Sequence, residues 1–278
     1  MMKVVSALIV LVVSVSVTQG LFFGNSKKWD GLKVTWGVNP LNSQYFSTLP
    51  RTVADATKAG FIKISTDCSN NGKFNGNRYI KGGDYAVVLL FDNQGYIAGQ
   101  QAGLPTNSNY PSRNIQPPFV ADGNHYFMTA YYVNPSTICS KGRSSAMFST
   151  QGTGTDLYIQ NGTNPSTTIK IPSKQSDMGH TRWVKGKCFP TMGVHYWYEL
   201  SKNTDCQRMF PVFLLYNNGH LNAFGWAFNT DQSSPRYEHP TKNVFTAFME
   251  EVPTCLASVG TISTMHIYLT SNPVGDIC

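Results

Sequence analysis

Two stretches of this chain are near-copies of one another: LLFDNQGYIAGQQAG, Leu89–Gly103, and LLYNNGHLNAFGWAF, Leu214–Phe228. A sequence that writes one hairpin twice restricts its fold more than any composition does, because repeated units of supersecondary structure tend to be stacked or paired. A shift of roughly 125 residues, from Leu89 to Leu214, aligns more than the hairpin. Val38-Asn-Pro40 meets Thr163-Asn-Pro165. The Pro-started segment ending at Cys68 meets the one ending at Cys188. FMTAYYVNPSTIC, closing at Cys139, meets TMHIYLTSNPVGDIC, closing at Cys278. These matches in one order predict an internal duplication, with matched segments Leu32–Cys139 and Thr155–Cys278.

The expected fold class is α+β: two tandem, duplicated β-rich units, 21–145 and 155–278, with few short helices, related by a pseudo-twofold axis and disulfide-bonded. Residues 146–154 read as the linker, inside a Ser- and Gly-rich stretch of flexible composition. Val87–Phe91 and Val212–Tyr216 are short apolar runs of β-favouring residues, the pattern of buried strands. Asn218-Gly219 suits a tight hairpin turn, since both residues tolerate positive φ. In the returning strands side chains alternate faces. That puts Ile97, Gly99 and Gly103 on one side, matched by Leu221, Ala223 and Ala227. The opposite side differs between the copies: Tyr96, Ala98, Gln100 and Ala102 against His220, Asn222, Phe224 and Trp226. Helices are expected at Pro50–Ala59 and over NVFTAFMEEV, Asn243–Val252, the latter with no match in the first unit.

Residues 1–20 have the form of a secretory signal peptide: Lys3, an apolar run from Val4 to Val17, and small residues at Thr18 and Gly20. No other stretch approaches the length of a transmembrane span, so the expected location is extracellular. Six cysteines in such a chain predict three disulfides. The repeat pairs Cys68 with Cys139 and Cys188 with Cys278. Cys206 and Cys255, which have no counterparts, are left for each other. Asn161-Gly-Thr163 is the acceptable glycosylation sequon, because Asn134 and Asn164 precede prolines.

The formal net charge of +7 favours acidic partners. The basic residues are scattered, however, and the longest basic run is Lys27-Lys28, so nucleic acid is a poor fit. Catalytic signatures are thin. There is no G-x-S-x-G, no C-x-x-C, no H-E-x-x-H, and no G-K-[ST] after GTGTD at Gly152–Asp156, so no metal site is assigned and the cofactor stays unknown.

What stands out is the concentration of histidine and glutamate in the second unit. VHYWYEL puts His195, Trp197 and Glu199 on one strand face. SPRYEHP gathers Arg236, Tyr237, Glu238 and His239 in a Pro-bounded loop, and His180 and His266 lie nearby in sequence. The first functional reading is a secreted binding or effector protein. Its ligand would be a glycan or small amphipathic molecule, held in a cleft by Trp197, His220, Phe224, Trp226, Arg236 and Tyr237. The alternative is a secreted enzyme, hydrolytic or metal-dependent. There His195 or His239 acts as base, Glu199 or Glu238 orients it, and Arg236 stabilises negative charge. The sequence leaves the choice between them, and the oligomeric state, open.

Overall fold

The computed structural model describes residues 29–111 and 118–278; the expected signal peptide lies outside the described residues. The chain is mostly β-sheet with a few short helices. Its strands, in order, begin with β1 Lys33–Val34, β2 Ser47–Thr48, β3 Phe61–Lys63, β4 Asn77–Lys81 and β5 Asp84–Phe91. There follow β6 Ile97–Pro105, β7 Val120–Asp122, β8 His125–Tyr131, β9 Leu157–Gln160 and β10 Thr168–Ile171. The last five are β11 Trp183–Phe189, β12 Gly193–Tyr198, β13 Val212–Asn217, β14 His220–Phe228 and β15 Ser263–Tyr268.

One sheet runs β3-β4-β5-β6-β8-β9-β10, with β7 also paired to β8, and the other runs β11-β12-β13-β14-β15-β1-β2. Each sheet therefore takes a hairpin from the far half of the chain. β1 pairs with β15 through Lys33–Tyr268 and Val34–Ile267, whereas β9 pairs with β8 through Ile159–Ala130 and Tyr158–Tyr131.

The sheets share a core. Leu89, Phe91, Ala102 and Met128 of the first pack in one apolar cluster with Leu214, Phe224, Trp226 and Met265 of the second. Further clusters cover the outer faces. Phe213, Leu215, Ala223, Ala227 and Tyr268 join Phe46, Met209, Phe245 and Met249 on the second sheet, and Phe74, Val88 and Phe127 join on the first. This double cover is why β5 and β13 read as unbroken apolar runs rather than alternating ones.

Strict alternation fails at one place in each hairpin. The register shifts between Leu90 and Phe91 opposite β6, and between Leu215 and Tyr216 opposite β14. Such a bulge re-aims the side chains on one side of it. Leu221 consequently joins the inter-sheet core while Ala223 lies on the outer face, and Ile97 likewise parts from Gly99. The β13–β14 turn has Asn218 at φ 49° and Gly219 at φ 74°, the left-handed conformations that an Asn-Gly pair accepts at least cost.

The expected linker is folded. Ser145–Gln151 is a helix capped by the Ser144 side chain, which accepts from the Met147 amide. Arg143, buried, anchors this stretch to the first hairpin. Its amide donates to Asp92 Oδ2 at 3.1 Å, and its guanidinium donates to the Gly152 carbonyl at 3.0 Å and to the Ile97 carbonyl. A buried guanidinium with fixed acceptors outweighs the flexible composition around it. Of the two expected helices, the first is Val53–Lys58, capped by Thr52 rather than begun at Pro50. The second shrinks to Phe245–Phe248 after a 3-10 turn at Lys242–Val244; no side chain caps its start, and Met249 is already extended.

The disulfides are Cys68–Cys139, Cys188–Cys278 and Cys206–Cys255, the same pairs that the repeat suggests. Three such bonds fit a protein of an oxidising compartment. Among the described residues no helix is long and apolar enough to cross a membrane.

Candidate functional site

The outer face of the second sheet holds a cavity of about 570 Å³. Its floor is built by alternation along neighbouring strands, with His195 and Trp197 from β12, Phe213 from β13 and His266 from β15. Gly225 of β14 lies between Phe213 and His266 in the ladder. A Cβ there would meet the Phe213 ring at 2.1 Å, so the missing side chain is what lets that ring lie across the strand. One wall is the β1–β2 loop, including Trp36, Val38 and Tyr45. Another is Tyr237–Phe248, and Phe189 and Met192 complete the rim. The indole N–H groups in the lining have their own partners, Trp36 Nε1 donating to Thr191 Oγ1 at 2.8 Å and Trp197 Nε1 to the Phe248 carbonyl at 3.4 Å. The lining is otherwise dominated by rings and aliphatic carbon, a surface that favours apolar ligands.

Within this surface sits a pair that no spacing in the sequence announces. Glu238 comes alongside β15 through a bridge with Thr264, and its Oε2 lies 2.6 Å from His266 Nδ1. Four donors converge on the carboxyl group. Oε1 accepts from the amides of Trp36 at 2.7 Å and His266 at 3.2 Å; Oε2 accepts from Nδ1 and from Thr264 Oγ1 at 2.9 Å. Burial pushes the Glu238 carboxyl upward, but the His266 ring and these hydrogen bonds outweigh it and hold the group below the usual carboxylate range. An ionised carboxylate only accepts, so Nδ1 carries hydrogen. The other ring nitrogen, His266 Nε2, is buried and has no hydrogen-bond partner among the described residues.

His195 stands beside it, ring centroids 6.5 Å apart and nearly perpendicular. Its Nδ1 is 3.1 Å from the Lys187 carbonyl, which fixes that nitrogen as the donor. Burial first, and the neighbouring His266 second, push its pKa down to about 3. His195 is therefore a neutral ring at physiological pH, unable to serve as a charged anchor.

No family model, curated protein or solved structure matches this chain.

The site must accordingly be read from its own chemistry, and the first sheet offers an internal comparison. Phe213–Gly225–His266 is a row across β13, β14 and β15; Val88–Gln101–Thr129 is the row across β5, β6 and β8. His195 pairs with Leu215 in one sheet as Arg78 pairs with Leu90 in the other. In the first sheet the row is closed by a polar chain. Arg78 Nε donates to Gln101 Oε1 at 2.9 Å, and Gln101 Nε2 donates to Thr129 Oγ1 at 2.9 Å. In the second, glycine stands at the position of the linking amide, and His266 Nε2 has no hydrogen-bond partner among the described residues.

Of the residues singled out in the sequence, the cavity gathers His195, Trp197, Tyr237, Glu238, His239 and His266. His239 sits at the rim, half-exposed, with Nε2 3.2 Å from the Gln232 carbonyl and 3.3 Å from Ser263 Oγ. Glu199 is not among the lining residues. It lies at the end of β12, exposed and paired with Arg182. Arg236 contacts Ser47 Oγ outside the lining, and His220 begins β14 at the hairpin turn.

Phe224 and Trp226 belong to the inter-sheet core, both 0% exposed. Their difference from Gln100 and Ala102 has a packing reason: large rings on one sheet accompany smaller residues on the other within a single shared core. Phe224 meets the first-sheet ring of Tyr132 edge-on at 6.2 Å. Asn161 is half-buried at the start of the β9–β10 loop, its amide donating to the Thr167 carbonyl at 2.8 Å. Among the described residues no three His, Cys, Asp or Glu side chains come together as a metal ion would require.

Sequence reasoning missed the pairing of Glu238 with His266. The available cue was His266 itself, a polar residue on a strand whose Met265 and Ile267 neighbours belong to the core.

Proposed function

We propose that the protein is a secreted binding protein, and that its cavity on the outer face of the second sheet takes a small amphipathic ligand. The observation that carries this reading is the cavity of about 570 Å³ itself, walled by the rings of Trp36, Phe189, Trp197, Phe213 and Phe248 with the Glu238–His266 pair in its lining. A glycan is the weaker candidate, because a sugar ring presents hydroxyls on all sides and needs several directed polar groups. Secretion is supported by the three disulfides and by the leader-like first twenty residues. The duplication belongs to the same reading: the two strand orders correspond, the bulges fall at equivalent ladder positions, and two disulfides are equivalent. In this account the ancestral units exchanged their first hairpins, and one copy kept a closed polar row while the other opened a cavity.

The test is saturable binding of N-phenyl-1-naphthylamine, an apolar fluorescent probe. We expect one site per chain, and its loss in Ala247→Phe, which adds a ring to the cavity wall. No saturable binding, or equal binding by Ala247→Phe, sinks the proposal.

A second reading, an extracellular enzyme, is favoured by the Glu238–His266 pair, the arrangement of a histidine base and its orienting carboxylate. The cavity wall offers no serine or cysteine among the described residues. Of its three threonines, Thr35 Oγ1 donates to the Arg236 carbonyl at 2.7 Å, Thr264 Oγ1 donates to Glu238, and Thr241 lies exposed. Recovery of bound ligand chemically unaltered after prolonged incubation would remove this reading.

A further inference from the structure

The outer face of the first sheet carries a cation of its own among aromatic rings. Arg78 pairs with Leu90 as His195 pairs with Leu215. It is buried, and its guanidinium carbon lies 4.2 Å from the ring centroid of Phe127 and 4.9 Å from that of Phe74. A carboxylate completes the arrangement, Arg78 Nη1 donating to Asp122 Oδ2 at 2.7 Å. Aromatic faces are electron-rich and aromatic edges electron-poor, so a cation over the faces with an anion close by is a favourable set.

The cavity on the second sheet has rings and a carboxylate but no such cation. At the ladder position of Arg78 stands His195, which burial keeps neutral. Trp36, Tyr45, Phe189 and Phe248 line the cavity and are only half-buried, so part of each ring is open to a ligand. Trp36 and Phe189 meet edge to face with centroids 5.9 Å apart, and Phe189 and Phe248 lie 5.3 Å apart. The electron-poor N–H edges of Trp36 and Trp197 are turned into the protein by their bonds to Thr191 and Phe248. Glu238 is in the lining; no Lys or Arg is among the described lining residues, although the chain has 22 of them. With Glu238 ionised, the Glu238–His266 pair carries a net charge of zero or minus one according to the protons on the ring, so in neither state does it make the wall positive.

We propose that the cavity binds an organic cation, an alkylated ammonium with an apolar body, whose charged head lies against these rings as Arg78 lies against Phe74 and Phe127. The inference rests on the cavity-binding reading and specifies its ligand class. An alkylated ammonium suits this wall because its charge is spread over methyl groups, which shed water readily and need no hydrogen-bond acceptor. A neutral molecule of the same shape gains the apolar contact alone. An anion meets the ring faces and Glu238 with the wrong sign, and a charge buried without a paired donor is costly.

The experiment is calorimetric titration of the full chain with three ligands, at about pH 8 so that an ordinary histidine is uncharged. Benzyl(2-hydroxyethyl)dimethylammonium carries the positive charge, 3,3-dimethyl-4-phenylbutan-1-ol is the same skeleton with carbon in place of nitrogen, and phenylmethanesulfonate is the anion. The ammonium is expected to bind about tenfold or more tightly than its carbon isostere, the effect of a desolvated cation over aromatic faces, with the sulfonate weakest. Trp36→Leu and Phe248→Leu each keep an apolar side chain and remove a ring. Each should lower the ammonium-to-isostere ratio by about threefold or more, while the isostere itself loses little. A purely structural role for these rings would weaken both ligands together and leave the ratio as it was. The wild-type comparison decides the inference even where a ring variant does not fold.

Equal affinities of ammonium and isostere in the wild-type chain, tightest binding of the sulfonate, or a ratio unchanged in both ring variants each overturn the inference. If all three ligands fail while N-phenyl-1-naphthylamine binds, the inference also falls and the binding reading stands. If that probe fails too, the binding reading itself is lost.

Discussion

Acid should weaken this fold through one buried ring. His195 is 2% exposed, its pKa is pushed down to about 3 from an ordinary 6.5, and burial is the main cause. A group that binds protons more weakly when folded adds stability above its unfolded pKa. That stability is lost as the pH falls toward the folded value, because the unfolded chain takes up protons that the folded chain refuses. The window for His195 therefore runs from about pH 6.5 down to about pH 3. Each pH unit inside it costs up to about 1.4 kcal/mol, and the fall from pH 7 to pH 4.5 sums to about 2.5 kcal/mol.

Other groups titrate over the same range, so the informative quantity is a difference between two proteins. His195→Gln keeps an N–H that can reach the Lys187 carbonyl but has no proton to gain. Urea unfolding of both proteins at pH 7 and pH 4.5, followed by tryptophan fluorescence with disulfides intact, gives two losses of stability. The wild-type loss should exceed the variant's by about 2.5 kcal/mol. Equal losses, or an NMR titration placing the His195 midpoint near 6.5, would refute the argument that this ring is buried neutral.

Two further outcomes follow from the packing and the crosslinks. Trp226→Ala should cost about 3–5 kcal/mol in urea unfolding, the range for truncating a buried aromatic ring. Its folded fraction should still bind N-phenyl-1-naphthylamine with wild-type affinity, because Trp226 faces the inter-sheet core. The double variant Cys206→Ser/Cys255→Ser opens a crosslink spanning 49 residues and should lose about 4 kcal/mol in the same assay. A loss below about 1 kcal/mol would mean that the region between these cysteines is held by its packing alone.

Much of the local structure was legible because it depends on neighbours in the chain. The apolar runs gave β5 and β13, Asn218-Gly219 gave the tight turn, and the repeat gave a cysteine pairing that the structure shares. Three features escaped because their causes are distant. On one side the partners of β1 lie more than two hundred residues away, at Tyr268 and Ile267, and a strand of two residues carries no periodicity to announce them. A bulge inside each hairpin shifts the face assignment, so Leu221 could not be grouped with Ala223 by counting. The contrast between the two similar stretches at Phe224 and Trp226 points to recognition on sequence alone, whereas those rings fill the shared core. Glu238 and His266 were each visible as unusual residues, but only the bridge between Glu238 and Thr264 sets them in contact.

The pairing of β1 with β15 has a consequence for how the molecule is made. During synthesis, β1 and β2 emerge long before β15, the strand whose open backbone edge they cover. Until β15 is made, the backbone row of β1 that faces it has no neighbour, and a bare row of that kind invites pairing with other chains. The same early segment also carries Trp36 and Tyr45, one flank of the ligand chamber. Closure of that edge and completion of the chamber are thus a single late event, so an occupied site reports that both ends of the polypeptide have found each other.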